Sequence, residues 1–220
     1  MIMNVYITEI TPSPSGEEVT LRAELHDDRS VMHIKGEIAT DMYRELDLPW
    51  SISSEIEIDV DIYEKLSYLM KKTDAIKLGI GLLSYAPNTK RALREKLVMR
   101  GVVREIAEEA VDALEQYGYI NEYEMAESFV YDLAVRRLYG RARIKNELFA
   151  KGFTSGASSH AIEALDVDFS EICAKRIEKT MGLRVFDDRQ SRVKAVSSLM
   201  RYGFTTDEIK QALIMIKERG

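Results

Sequence analysis

The apolar positions of this chain change period once. Val5 and Ile7, then Val19, Leu21, Ala23 and Leu25, then the stretch from Val31 to Ile38 alternate with polar residues, which predicts strands with one buried face. Pro12, Pro14 and Gly16 mark the first connection and the run Asp27, Asp28, Arg29 the second, so the strands read as a small antiparallel sheet. Residues 39–46 carry the spacing of a short helix that ends before Pro49. Ile56, Ile58, Val60 and Ile62 still alternate, but they lead into residues 63–70, where apolar positions recur at three and four; helix is expected from about Asp59.

From residue 75 onward the period is helical, and the pattern repeats. Shifting the sequence by 51 residues, twice, superimposes Leu97, Leu148 and Leu199, then Gly101, Gly152 and Gly203, then Ala110, Ala161 and Ala212, without a gap. Lys90, Arg141 and Arg192 coincide as well, and so do Arg100, Lys151 and Tyr202. Each unit reads as three helices. In the second, Asn121 and Glu124 form a start signal, Met125, Phe129, Val130 and Leu133 make the apolar stripe, and Gly140 is expected to end the helix. A further helix over residues 141–151 stops at Gly152, a residue free to turn left-handed, with Phe153 folded back on it. Thr205 and Glu208 make a capping box for the last helix.

The expected architecture is therefore mainly α: tandem three-helix repeats stacked into an elongated rod or crescent, behind a small N-terminal β-containing domain. Its parts are an acidic β-rich domain at 1–54, a linking helix at 55–74, and repeats at 75–122, 123–168 and 169–220.

Composition narrows the function classes. A chain of 220 residues, 45% hydrophobic, can bury a sizeable core. Its one cysteine, Cys173, allows no internal disulfide, and His26, His33 and His160 lack ligand spacing; no metal and no cofactor are expected. The first ten residues do not have the basic start and apolar core of an export signal, and no apolar run approaches the ~20 residues a bilayer needs. A cytoplasmic protein with no membrane contact is expected. Gly79 and Gly81 precede no phosphate-binding lysine, and the acidic pairs Glu108, Glu109 and Asp187, Asp188 have no histidine or nucleophile beside them in sequence, so the chain does not read as an enzyme.

Charge is the more informative quantity. Residues 1–74 hold 7 of the 31 Lys and Arg but 16 of the 37 Asp and Glu, whereas the remainder is slightly basic. Within a chain of formal net charge −6, Arg136, Arg137, Arg141, Arg143, Lys145 and Lys151 face one acid, Glu147. Such runs ordinarily solvate a helix face. Arg137, Arg141 and Lys145, however, follow four-residue spacing, which on one helix would stack like charges at a cost of a few tenths of a kcal/mol per pair, about 0.2–0.5. The first repeat carries a matching set in Lys90, Arg91, Arg94, Lys96 and Arg100. These residues are the candidate binding face for an acidic partner.

Four segments in order, TKRALREKLVMRGV (89–102), LEQYGYIN (114–121), AESFVYD (126–132) and RIKNELFAKGF (143–153), resemble the bacterial RecX regulatory proteins. The resemblance implies a stack of three-helix units that binds the RecA recombinase filament on DNA, lies along its groove and restrains its ATPase and strand exchange. No catalytic residues are expected, and the chain is expected to act as a monomer on RecA and on the DNA that RecA encloses. The competing reading is a helical-repeat module that binds single- or double-stranded nucleic acid without a dedicated protein partner.

Overall fold

In the computed structural model, residues 4–27 and 30–219 are described; Asp28 and Arg29, where the sequence predicts the second connection, lie outside them. Four strands form one antiparallel sheet in the order β3-β2-β1-β4, with β1 Asn4–Pro12, β2 Glu18–His26, β3 Val31–Ala39 and β4 Ile56–Ile58. Among the described residues ten α-helices follow or interrupt it: α1 Thr40–Tyr43, α2 Val60–Tyr85, α3 Lys90–Met99, α4 Arg104–Gln116, α5 Glu122–Tyr131, α6 Arg141–Lys151, α7 Ser155–Ala164, α8 Phe169–Thr180, α9 Arg189–Arg201 and α10 Thr206–Arg219. Among the described residues no helix is long and apolar enough to cross a membrane.

Contacts group the chain into two compact units, one of residues 1–86 and 93–119, the other of residues 87–92 and 120–220. In the first, Val19, Leu21, Ala23 and Leu25 of β2 all point into the core, as strict alternation requires. Strand β1 buries Val5, Ile7 and Ile10, a change of parity that alternation alone does not permit. A bulge between Ile7 and Glu9 supplies the extra residue and returns Ile10 to the buried face. Helix α2 lies against this face through Leu66, Leu69 and Met70, with Met70 packed onto Gly36 of β3. Helix α4 packs on α2: Leu114 fills the space beside Gly79, and Glu109 pairs with Lys72 at 2.8 Å and accepts from the Tyr68 hydroxyl.

The second unit buries Leu133, Ile144, Leu148, Ile177 and Leu199 almost completely. Each large aliphatic of this kind contributes about 2–5 kcal/mol by the usual truncation measure. Gly101, Gly152 and Gly203 have φ of 91°, 91° and 94°, so the three helix ends share the left-handed conformation that their 51-residue spacing predicts. Phe153 donates its amide to Leu148, folding back as expected, and Thr205 and Glu208 complete their reciprocal capping box at 2.7 and 3.2 Å.

One helix end differs from the sequence expectation. Gly140 does not terminate the helix that begins at Glu122. The backbone widens into a π-turn over Asp132–Arg136, Leu138 takes the left-handed position at φ 55°, and Gly140 serves instead as the N-cap of α6. The physical reason is contact with residues far away in sequence, Tyr202 and Arg176.

Candidate functional site

The N-terminus of α6 abuts the C-terminus of α9. The Gly140 amide donates to the Tyr202 carbonyl at 2.8 Å and the Ala142 amide to the Gly203 carbonyl at 3.2 Å. The backbones are so close that a Cβ at Gly140 would stand 2.3 Å from the Gly203 carbonyl. The same joint recurs one repeat earlier, where α3 begins: Thr89 Oγ1 donates to the Lys151 carbonyl at 3.2 Å, both partners displaced by 51 residues from Gly140 and Tyr202. At each joint the negative C-terminal end of one helix dipole meets the positive N-terminal end of the next, an arrangement that satisfies terminal groups no intrahelical partner can reach.

This joint reinterprets part of the basic run. Arg91 donates to the Phe149 and Ala150 carbonyls at 3.0 and 2.9 Å, closing the C-terminus of α6. Arg143 pairs with Glu147 at 3.0 Å and lies over the rings of Tyr139 and Tyr202, at 4.8 and 5.7 Å. Both cations thus stabilise a helix end or a joint. Arg137 is not on α6 at all, because the chain breaks at Leu138 to Gly140; the four-residue stripe expected from Arg137, Arg141 and Lys145 keeps only its last two members on one helix.

What holds the break is Arg176 of α8, a nearly buried guanidinium that sequence reading did not single out. It donates to the carbonyls of Arg137 and Leu138 at 3.1 and 3.2 Å and rests on the Tyr202 ring. A left-handed leucine costs about 1–2 kcal/mol, so the surrounding contacts must fix it. Its effect is to turn Arg136 and Arg137 outward, where both reach Asp132, at 3.5 and 3.1 Å. These pairs are well exposed and contribute little stability.

Beside them opens a groove of about 620 Å³. Pro87, Met125, Phe129 and Phe153 give it an apolar floor, Tyr131 stands exposed on one side, and Arg136, Arg137 and Lys151 stand on its rim, with Glu124 and Asp132 among them. Three of the candidate cations are thus brought together around one cavity. Arg141 and Lys145 point to solvent from α6. Lys90 is half-buried at the start of α3, Arg94 pairs with Glu108 of α4 at 3.4 Å, and Arg100 is exposed at the end of α3.

Two further features escaped the sequence. Glu122, 4% exposed, accepts from the amides of Lys90 and Thr154 at 2.8 and 3.0 Å, so one buried carboxylate caps the starts of both α3 and α7. Nothing in a lone Glu after Asn121 signals this. Helix α9, RQSRVKAVSSLMR, carries four cations and no acid, with Arg189, Arg192, Lys194 and Arg201 all exposed; a scan for sign along each helix finds it, but the denser run at 136–151 draws attention first.

No family model matches the chain. Among curated proteins, the regulatory protein RecX of Halorhodospira halophila is 31% identical over 134 residues, covering 61% of this chain and 83% of that protein. The chain belongs to the RecX family of regulatory proteins. RecX of Xanthomonas axonopodis pv. citri is 30% identical over 142 residues, and RecX of Clostridioides difficile is 26% identical over 194 residues, covering 86% of this chain. A RecX crystal structure superimposes with a TM-score of 0.70 over 94% of this chain and 98% of its own, at 18% identity; RecX from Lactobacillus salivarius does so at 0.59 over 67% of this chain, at 24% identity. At these identities the structures establish the fold. Coverage of 94% leaves no room to omit the four-stranded sheet, so the N-terminal strands are part of a RecX architecture too.

Proposed function

We propose that this RecX-family protein binds the RecA recombinase filament on DNA and restrains its ATPase and strand exchange, acting in the cytoplasm as a regulator with no catalysis of its own. The observation that carries the reading is the groove of the second unit. Its apolar floor suits an aliphatic or aromatic anchor, and Arg136, Arg137 and Lys151 on its rim suit acidic groups around that anchor, the combination found at protein interfaces with a central hot spot and a charged edge. Arg136 and Arg137 are only loosely engaged by the single carboxylate of Asp132, and they are free to exchange it for a partner's. The test is the ATPase of RecA on single-stranded DNA, with this protein added at substoichiometric levels. Inhibition is expected, and an unchanged rate at saturating protein removes the reading.

A second reading, nucleic-acid binding without a dedicated protein partner, is favoured by one observation: the four exposed cations of α9, unaccompanied by any acid on that helix. Counterion release separates the two. Binding of naked DNA through those four should lose affinity with salt at a log–log slope of about −3 on single strands, at ~0.7 per phosphate.

A further inference from the structure

The third repeat holds a second cavity, which shares no lining residue with the groove. It has a volume of about 490 Å³ and opens between the short helical turn Leu183–Phe186, the first half of α9 and one face of α10. Leu183, Phe186, Val196, Ile209 and Leu213 give it an apolar interior. Arg192, Lys210 and Lys217 stand exposed around it, with Asp187 the one acid in its lining. Arg192 is fixed there by its Nε, which donates to the Phe186 carbonyl at 2.8 Å, whereas Lys210 meets Asp207 at 3.3 Å with both side chains in solvent.

The preceding repeat shows what such a place accepts. Arg192 stands 51 residues after Arg141, and Leu213 stands 51 after Ile162. The Arg141 guanidinium lies over the Phe169 ring at 4.8 Å, and that ring is buried. Phe169 comes at the end of the stretch LDVDF, residues 165–169, by which the chain leaves α7 after Ala164. Helix α10, the counterpart of α7, runs on to Arg219 instead, and its second half presents Leu213 and Lys217 to the cavity. Arg192 therefore borders a cavity where its counterpart covers a ring.

We propose that this cavity docks an acidic segment of a partner protein through one phenylalanine, whose ring lies under Arg192 while the carboxylates beside it meet Lys210 and Lys217. The enclosed apolar interior calls for a side chain as anchor. Three cations against one acid select carboxylates next to that anchor and reject a basic segment. Residues 165–169 of this chain already have the required chemistry, with Asp166 and Asp168 beside Phe169, but they are engaged within their own repeat. The cavity can be filled whatever the groove rimmed by Arg136, Arg137 and Lys151 binds.

The experiment is an amide nuclear magnetic resonance titration of the full chain with the synthetic peptide LDVDFSE, blocked at both ends, and with the same peptide carrying alanine in place of phenylalanine. The amides of Val196, Ile209 and Leu213 should shift saturably as LDVDFSE is added. The alanine peptide should bind at least about tenfold more weakly, as loss of a buried phenyl ring requires. Lys210→Glu with Lys217→Glu should also weaken LDVDFSE at least about tenfold, most at low salt. Both lysines are exposed, so this variant folds, and far-ultraviolet circular dichroism checks that it does. The proposal is overturned if the three amides stay in place at millimolar peptide, if the alanine peptide shifts them equally, or if the charge-reversed variant binds LDVDFSE as the wild type does. Shifts centred on Phe129 and Phe153 also overturn it, by placing the acidic segment in the groove. So does an oligothymidylate that shifts Ile209 and Leu213 as strongly as LDVDFSE, which would make the three cations a phosphate site.

Discussion

Gly140 and Gly203 meet backbone to backbone, 63 positions apart in sequence, and a single Cβ on either would collide with main-chain atoms of the other's neighbourhood at 2.3 Å. Because the obstruction is backbone, no rotamer change relieves it. Gly140 has φ −78° and ψ 165°, a conformation open to any residue, so Gly140→Ala isolates the steric effect from the conformational one. It should destabilise the second unit by about 3 kcal/mol or more, lowering its thermal midpoint by ~6–12 °C. Gly101 offers the control: its φ is 91°, but a Cβ there meets open space, and Gly101→Ala should cost only about 1–2 kcal/mol. Equal losses in the two variants would show that the helix joint does not limit stability.

Glu122 should prove as important to the same unit as any apolar residue. Glutamine in its place has one acceptor oxygen where two are needed, so one of the amides of Lys90 and Thr154 loses its charged partner, at about 1.5–3 kcal/mol; Glu122→Ala orphans both and should cost about 3–5 kcal/mol. Hydrogen exchange supplies the specific signature. The Lys90 and Thr154 amides should lose protection in Glu122→Ala by more than the change in global stability accounts for, and a variant melting like the wild type would dismiss the carboxylate as a structural cap.

Cys173 reports on the core directly. Burial pushes its thiol up to about 12, with the Glu208 charge adding to the rise, so almost none of it is thiolate at neutral pH and the sulfur is sealed from solvent. Reaction with a maleimide should therefore be slow in the native protein and accelerate with denaturant in step with unfolding of the second unit. Rapid stoichiometric labelling under native conditions would mean that α8 opens far more readily than its packing indicates.

The fold was legible wherever sequence period maps onto geometry. Gly101, Gly152 and Gly203 announced three equivalent helix ends because only glycine turns left-handed without strain, and Thr205 with Glu208 announced a helix start because their side chains bond their own backbone. What stayed hidden depends on partners distant in sequence. Leu138 carries no mark of its left-handed conformation, which Arg176 holds from 38 positions away. The charge of Arg91 and Arg143 was visible, but the carbonyls and rings that engage them were not, and so two residues that secure helix ends were indistinguishable from residues facing a partner. The assignment of residues 87–92 to the second unit has the same origin: Thr89 and Arg91 bond to the end of α6.

The central claim is that the groove rimmed by Arg136, Arg137 and Lys151 contacts the RecA filament. Its most direct test is the RecA ATPase on single-stranded DNA, measured with substoichiometric wild-type protein and with the variant Arg136→Glu, Arg137→Glu, Lys151→Glu. The three side chains are exposed and the two arginines share weak surface pairs worth at most about 1 kcal/mol each, so the thermal midpoint should fall by no more than ~4–8 °C. Charge reversal on the rim of an interface acts on association, and inhibition should fall at least tenfold in potency and no longer weaken as salt is raised. A variant that folds normally and inhibits as the wild type does would place the RecA contact elsewhere on the protein.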